Sequence, residues 1–191
     1  MVRTRTPYGR TDVALTDAVR RAAESIRKAL EGLPLDVWSS PLGRARETSQ
    51  LAGFPTAHID HDLCEWDYGV YEGRTTLEIR EEIPAWSVWL SPIPDGESLD
   101  QVSTRARRVI DRVTESAARK VAVRSRSLPK DSCRLLVGMS PLTGRFLALD
   151  TATISILGYE RRRVSSAAGM LAVYCELLPR RRPQPFQIRA V

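Results

Sequence analysis

Residues 38–54 read WSSPLGRARETSQLAGF and carry the clearest signal of fold class in the chain. Residues 35–38 form a short apolar run that predicts a strand ending at Ser39. Pro41 suits the first turn of a helix that continues to about Leu51. A strand that leads directly into a helix is typical of α/β proteins, which bind ligands at the carboxyl ends of their strands. We therefore expect the functional edge of an α/β sheet at this junction.

Helical and extended patterns alternate on both sides of that stretch. A helix capped by Thr16 and ended by Gly32 is predicted from its apolar positions, which are Val19, Ala22, Ala23, Ile26 and Leu30. The other predicted elements are a short strand at residues 57–59, a helix opening at Thr75 or Thr76 and ending at Ile83, a helix that Pro84 starts and that contains Trp86 and Trp89, and a long helix capped by Ser98 that runs to about Lys120.

The later part of the chain fits this alternation poorly. Residues 121–137 read VAVRSRSLPKDSCRLLV and place polar residues where the next buried strand belongs. Residues 146–149 and 152–159 are β-rich and suggest neighbouring strands. The residues after 163 are expected to form a disordered or unrelated tail. The predicted organisation is thus one domain over residues 1–163, with 121–137 anomalous, followed by a tail at 164–191.

Composition favours a soluble globular protein. Of the 191 residues, 42% are hydrophobic and 27% are charged, and no apolar run approaches the roughly 20 residues of a membrane helix. The N-terminus does not resemble a secretory signal, so we expect a cytoplasmic protein without membrane partners. The three cysteines are widely spaced and suggest neither a disulfide framework nor a metal site. The formal charge of +6 leaves an anionic partner open.

Two groups of residues could carry chemistry. Arg44 follows the strand end, and its guanidinium could bind an oxyanion held near a helix N-terminus. The alternative is that Arg44 and Arg46 are exposed residues that pair with Glu47 on the helix surface. Glu65 lies among aromatic residues, which could raise the pKa of its carboxyl toward the range of a proton donor. His58 and His61 are the only histidines, and both are expected at the surface.

Five stretches resemble one known family. They read, in chain order, GRTDVALTDAVRRAA, SSPLGRARETSQLAG, EWDYGVYEGRTTLEIRE, DGESLDQVSTRARRVI and GRFLALDTATISILGYE. Together they are similar to the histidine phosphatase superfamily, also called the phosphoglycerate mutase-like family, over roughly residues 9–123 and 138–163. Five matches in the right order make the resemblance specific.

The resemblance implies a three-layer α/β/α sandwich with a mostly parallel sheet, and a reaction on small phosphomonoesters without a cofactor or metal. In the family, a histidine of an Arg-His-Gly motif accepts the phosphoryl group and a second His-Gly motif helps to hold it. Arg44 matches the phosphate-binding arginine of the family, and Glu65 matches the acid that protonates the leaving group. Gly9 matches the loop near the substrate.

Both histidine motifs of the family are absent from these 191 residues. The resemblance therefore implies a fold whose first strand is missing and one of whose central strands is altered, at residues 121–137. With suitable synonymous codons, a one-base shift of residues 124–136 reads Ala-His-Gly-His-Ser-Leu-Arg. Similar shifts of residues 1–8 and 164–170 give family-like readings, so our hypothesis is a frame-disrupted coding sequence.

Three functional hypotheses follow. The first is a family member that is inactive as written because it lacks the nucleophile. The second is a non-catalytic basic module that binds phosphorylated or polyanionic ligands through Arg44 and the basic cluster at 119–134, although no nucleic-acid motif is present. The third is a chain that barely folds because central strands are lost. The sequence identifies neither a substrate nor an oligomeric state.

Overall fold

Helices and strands alternate through a computed structural model that describes residues 8–33, 35–115, 119–123, 140–146, 156–159 and 171–174. The chain divides into two units, Met1–Ala152 and Thr153–Val191. The regular elements of the first unit are α1 (Asp17–Leu30), β1 (Leu35–Ser39), α2 (Gly43–Leu51), β2 (His58–Ile59), α3 (Thr76–Glu82), α4 (Leu99–Glu115), β3 (Arg119–Val123) and short 3-10 helices at His61–Leu63, Gly69–Tyr71 and Pro141–Phe146.

A parallel sheet lies at the centre of the first unit. Its strand order is β2-β1-β3, and Ser39 pairs with Ile59 on one side and with Val123 on the other. Because the strands are parallel, their carboxyl ends share the edge at which β1 leads into α2. Helix α2 contacts β1, β3 and α1. These features confirm the predicted α/β class. The prediction of a missing first strand concerns the chain before residue 8, outside the described residues.

The predicted helix caps are present. Thr16 is the N-cap of α1, where its hydroxyl accepts the backbone N–H of Val19 at 3.4 Å. Gly32 follows that helix with φ +76°, a conformation that glycine adopts without a Cβ penalty. Thr75 and Glu78 form a reciprocal capping box at the start of α3. Local sequence therefore determines both helix starts.

The core forms between α4 and the segment after β2. Helix α4 buries its predicted apolar face through Val102, Ala106 and Val109. That face packs in one cluster with buried residues from 63–93, which are Leu63, Trp66, Tyr68, Tyr71, Ile79, Trp86 and Ile93. The aromatic residues from EWDYGVYEG thus serve as core, and they fix the backbone that carries Glu65.

Two predicted helix extents are wrong. Residues 84–91 form turns instead of a helix, because Ala85 has φ +65°, a left-handed conformation that breaks a helix. Helix α4 is described as Leu99–Glu115 and does not reach Lys120, because the chain is in β3 from Arg119 and pairs with β1 there. The anomalous segment therefore begins within a regular strand, and residues 124–137 lie outside the described part.

The second unit contains two short strands within its described residues. Strands β4 (Ile156–Tyr159) and β5 (Leu171–Tyr174) pair antiparallel. The predicted strand at 152–159 is thus present over its last four residues. Phe146, predicted as strand, instead ends a 3-10 helix, and residues 147–149 lie outside the described part. Within residues 164–191 the structure describes β5 alone. The predicted boundary between domain and tail at residue 163 therefore stays a prediction.

Candidate active site

Arg44 stands in the first turn of α2, and its side chain is 9% exposed. Its guanidinium holds the backbone of residues 8–12, which we call the N-terminal loop. Nη1 donates to the carbonyl oxygen of Thr11 at 2.6 Å, and Nη2 donates to that of Gly9 at 2.6 Å. The exposed alternative is wrong for Arg44, although Arg46 is exposed as expected, and Glu47 accepts Nε of Arg20 at 2.7 Å. Arg44 therefore faces the predicted site edge.

Asp12 caps the N-terminus of α2. Its Oδ2 accepts the backbone N–H of Gly43 at 2.5 Å, and its Oδ1 accepts that of Arg44 at 3.3 Å. A carboxylate at this position is favoured by the free N–H groups and by the positive end of the helix dipole. The backbone donors expected to bind a substrate oxyanion are thus occupied by the chain itself.

Glu72 holds the opposite side of the N-terminal loop. Its carboxylate accepts backbone N–H groups from Gly9 at 3.0 and 3.1 Å, from Arg10 at 2.9 Å and from Tyr68 at 3.2 Å. Burial alone would raise the pKa of Glu72, but these hydrogen bonds to its charged form outweigh burial and lower the pKa. Glu72 is therefore a charged anchor for this loop.

Gly9 contacts both Arg44 and the segment that carries Glu65. Its carbonyl oxygen accepts a hydrogen bond from Nη2 of Arg44. A Cβ at this position would collide with the carbonyl oxygen of Trp66, the residue directly after Glu65. The structure thus brings Gly9 against Arg44 and against the segment that carries Glu65.

Glu65 lies in a buried loop, residues 62–67, which we call the acid loop. The residue is 2% exposed, and its Oε1 accepts the backbone N–H of Trp66 at 3.0 Å. Glu97 braces the loop from the DGES stretch. Its Oε2 accepts the N–H of Asp67 at 3.0 Å, and its carbonyl oxygen accepts the indole N–H of Trp66 at 2.7 Å. These contacts flank Glu65 on its C-terminal side.

Arg105 of α4 pairs with Glu97 beneath the acid loop. Its Nε donates to Oε1 of Glu97 at 2.7 Å, and the Arg105 side chain is 5% exposed. Burial would raise the pKa of Glu97, but the hydrogen bond and charge of Arg105 outweigh it and lower the pKa. Arg10 of the N-terminal loop adds a second positive charge, with Nη2 3.4 Å from Oε1 of Glu97. The two loops are thus linked through Glu97.

The two histidines lie outside this arrangement. His58 belongs to β2, its Nε2 is 3.0 Å from Oδ1 of Asp36, and its side chain is 62% exposed. His61 is exposed and begins the 3-10 helix His61–Leu63, which leads into the acid loop. Among the described residues, no three His, Cys, Asp or Glu side chains are grouped to hold a metal ion. None of the described helices is long and apolar enough to cross a membrane.

The structure places a cationic and an acidic side chain on two linked segments. Arg44 supplies a nearly buried guanidinium, and Glu65 supplies a buried carboxyl on a loop braced from below. Sequence reasoning identified these two residues and Gly9. It missed the residues that hold the two loops in place, which are Asp12, Glu72, Glu97 and Arg105.

Comparison with known proteins gives consistent matches. The chain is 37% identical over 157 residues to an acid phosphatase of Mycobacterium tuberculosis, a match that covers 80% of this chain and 77% of that protein. It is 32% identical over 130 residues to the sedoheptulose 1,7-bisphosphatase of Saccharomyces cerevisiae, covering 56% and 45% of the two chains.

The fold agrees with the sequence matches. The solved structure of open reading frame Rv3214 from Mycobacterium tuberculosis superposes with a TM-score of 0.80 at 35% identity, covering 89% of this chain and 88% of that one. Residues 2–168 match the histidine phosphatase superfamily (branch 1). Since that match spans most of the chain, the protein belongs to the histidine phosphatase superfamily.

Proposed function

We propose that this site derives from one that hydrolyses small phosphomonoesters through a phosphohistidine. The 191-residue chain retains the residues that bind the phosphoryl group and protonate the leaving group. The observation that supports this is the contact of Gly9 with both Arg44 and the backbone next to Glu65. It joins an anion-binding side chain to a buried carboxyl, as phosphate ester cleavage requires. The acid phosphatase and bisphosphatase relatives point to the same substrate class.

The roles follow from the chemistry of each group. Arg44 binds the phosphoryl oxygens, because a guanidinium offers several N–H donors and a permanent charge. Glu65 in its protonated form donates a proton to the leaving-group oxygen as the ester bond breaks. Gly9 allows the N-terminal loop to approach the acid loop closely. The phosphoryl acceptor in this scheme is a histidine, for which neither His58 nor His61 is placed.

Without that acceptor we expect negligible phosphatase activity from this polypeptide, because removing a nucleophile typically costs several orders of magnitude in rate. The test is hydrolysis of p-nitrophenyl phosphate by the purified chain, compared with its Glu65→Gln variant. Glu24→Gln, an exposed substitution on α1, is the matched control. Turnover that disappears in Glu65→Gln and persists in Glu24→Gln would contradict the proposed inactivity and support Glu65 as the acid.

We further propose that the coding sequence is frame-disrupted. Strand β3 supports this, because it pairs in register with β1 up to Val123, directly before residue 124, where the shifted His-Gly reading begins. A strand of the family type thus leads to the point at which the second histidine motif is expected. Sequencing the coding DNA tests the proposal, and alternative frames that do not encode the histidine readings would refute it.

The alternative is a basic module that uses Arg44 and the basic cluster at 119–134, of which the structure describes only the backbone of 119–123. On the described surface, three other arginines, Arg74, Arg108 and Arg112, are paired with Glu82, Asp62 and Asp60. Ion pairs of this kind reduce the charge available to a polyanion. A steep salt dependence of nucleic-acid binding by the purified chain would favour the module over the phosphatase remnant.

A further inference from the structure

Arg105 uses its whole hydrogen-bonding capacity on the acid loop and on Glu97. Nη1 donates to the carbonyl oxygens of Asp62 and Cys64 at 2.9 and 2.6 Å. Nη2 donates to the carbonyl oxygen of Glu65 at 3.2 Å and to Oε2 of Glu97 at 2.9 Å. Nε donates to Oε1 of Glu97 at 2.7 Å. A guanidinium has five N–H groups, and all five are used here.

The carbonyl contacts lie at three points along a single short loop. Asp62, Cys64 and Glu65 turn their carbonyl oxygens toward one planar group, so the backbone cannot rotate at Glu65 without breaking a charge-assisted hydrogen bond. Arg105 is 4% exposed, and water is therefore a poor substitute for these contacts.

Glu97 completes the arrangement from the C-terminal side. It fixes the Arg105 guanidinium with both carboxylate oxygens and also accepts the N–H of Asp67. Its own backbone N–H donates to the carbonyl oxygen of Asp67 at 3.0 Å. The pair thus holds the loop on both sides of Glu65, through residues on α4 and on the turn before it.

We propose that Arg105, held by Glu97, is the positioning residue that sets the place of the Glu65 carboxyl. The proposal rests on the proposed role of Glu65 as the acid. Lysine could not replace Arg105, because an ammonium has three donors around a point charge and cannot match a planar set of five acceptor contacts. Arg105 acts only through the loop and touches no substrate.

The test reads the environment of Glu65 directly. The full chain is labelled with glutamate enriched in carbon-13 at the side-chain carboxyl, and the Glu65 signal is assigned by its loss in Glu65→Gln. The titration midpoint of that signal is then compared among the unmodified chain, Arg105→Lys and the control Arg108→Lys. Arg108 lies on the same helix, but it contacts the loop only through the Asp62 side chain.

We expect the Glu65 midpoint to move by about half a pH unit or more in Arg105→Lys, since carboxyl midpoints differ by about one unit between protein environments, and to stay in place in Arg108→Lys. A folded Arg105→Lys variant with an unchanged midpoint would overturn the proposal. If Arg105→Lys does not fold, Glu97→Gln takes its place with the same expected result and the same contradicting one.

A measurement on the unmodified chain tests the proposal even if the variants do not fold. Four separate resonances from the Nη hydrogens of Arg105 are expected, since every one of them is bonded and rotation is restricted. A single averaged resonance would overturn the proposal. Neither readout depends on turnover, so a failure of the proposed phosphatase chemistry would leave this test intact, and a failure here would leave the activity test intact.

Discussion

The two loops that meet at Gly9 are both held by one arginine and one glutamate, but the two pairs are built differently. At the acid loop, Arg105 and Glu97 bond to each other, and the guanidinium is saturated. At the N-terminal loop, Arg44 holds the carbonyl side and Glu72 holds the N–H side. Within the described residues, Arg44 donates only through Nη1 and Nη2.

This difference separates a supporting role from a binding role. A saturated guanidinium below a loop has no N–H left for a ligand, so Arg105 can only support. Arg44 bonds to the N-terminal loop through Nη1 and Nη2, and we propose that its remaining N–H groups bind an oxyanion while the loop stays attached to Glu72. In this proposal the more completely bonded arginine, Arg105, is the one further from the chemistry.

The largest expected effect comes from removing the support. Arg105→Ala leaves the carboxylate of Glu97 buried without its partner, which typically costs about 3–5 kcal/mol. Arg108→Ala, which removes an exposed pair with Asp62, should cost much less, because water screens that pair. Urea denaturation followed by tryptophan fluorescence measures both. Equal losses would show that Arg105 is no more than a surface ion pair.

The second largest loss of stability is expected at Gly9, where the two loops meet. In Gly9→Ala the added Cβ would meet the Trp66 carbonyl oxygen and the Glu72 carboxylate, so we expect a loss of about 1–3 kcal/mol from overpacking. Gly32→Ala is the control, because no atom lies within 4 Å of its Cβ position and only its φ of +76° opposes alanine. That control should cost about 1 kcal/mol. A smaller loss in Gly9→Ala than in Gly32→Ala would contradict the close approach of the two loops.

Glu72→Gln tests the N–H side of the N-terminal loop. The variant loses charge-assisted hydrogen bonds, and we expect it to be destabilised by about 1–2 kcal/mol at pH 7. Since the pKa of Glu72 is lowered in the folded chain, its stabilisation is present above its ordinary value of 4.5 and is lost as the pH falls through the lower folded value. The difference from the unmodified chain should therefore shrink below about pH 4.5. A difference that stays constant down to pH 3 would show that the charge of Glu72 is not involved.

The smallest effect is expected at Asp62, on the outer side of the acid loop. Hydrogen bonds from Arg108, together with Arg112, outweigh burial and lower the pKa of Asp62 from 3.8 to about 2. The stabilisation that Asp62 gives the folded chain is complete above pH 3.8 and is lost as the pH falls from that value to about 2. Asp62→Asn should therefore be nearly as stable as the unmodified chain below about pH 2 and less stable at pH 5, as measured by thermal melts. Equal stability at pH 5 would show that the charge of Asp62 does not stabilise the folded chain.

Much of the fold was predictable because it depends on local signals. Thr16, the Thr75–Glu78 box and Pro41 each act within a few residues, and the helices begin at or close to them. The predicted helix at residues 84–91 failed for a different reason. Its sequence resembles a helix, but Trp86 is buried against Tyr71, with ring centroids 5.2 Å apart, and this tertiary contact accompanies the turn at Ala85.

The site was only half predictable, because part of it depends on tertiary contacts. Arg44, Glu65 and Gly9 were identified through a family resemblance that compares short stretches. Glu72 and Arg105 act on backbone atoms 63 and 41 residues away along the chain. No periodicity or spacing in the sequence encodes such a pairing, since it exists only after the loops meet in three dimensions.

We propose that these 191 residues keep the phosphate-binding arginine and the acid of a phosphotransfer site and hold no histidine that accepts the phosphoryl group. The most direct measurement is intact-mass spectrometry of the purified chain after incubation with p-nitrophenyl phosphate and rapid quenching under alkaline conditions that preserve phosphohistidine. We expect no added phosphoryl group in the unmodified chain or in Arg44→Lys. A phosphoryl group on His58 or His61 that is lost in Arg44→Lys would contradict the account.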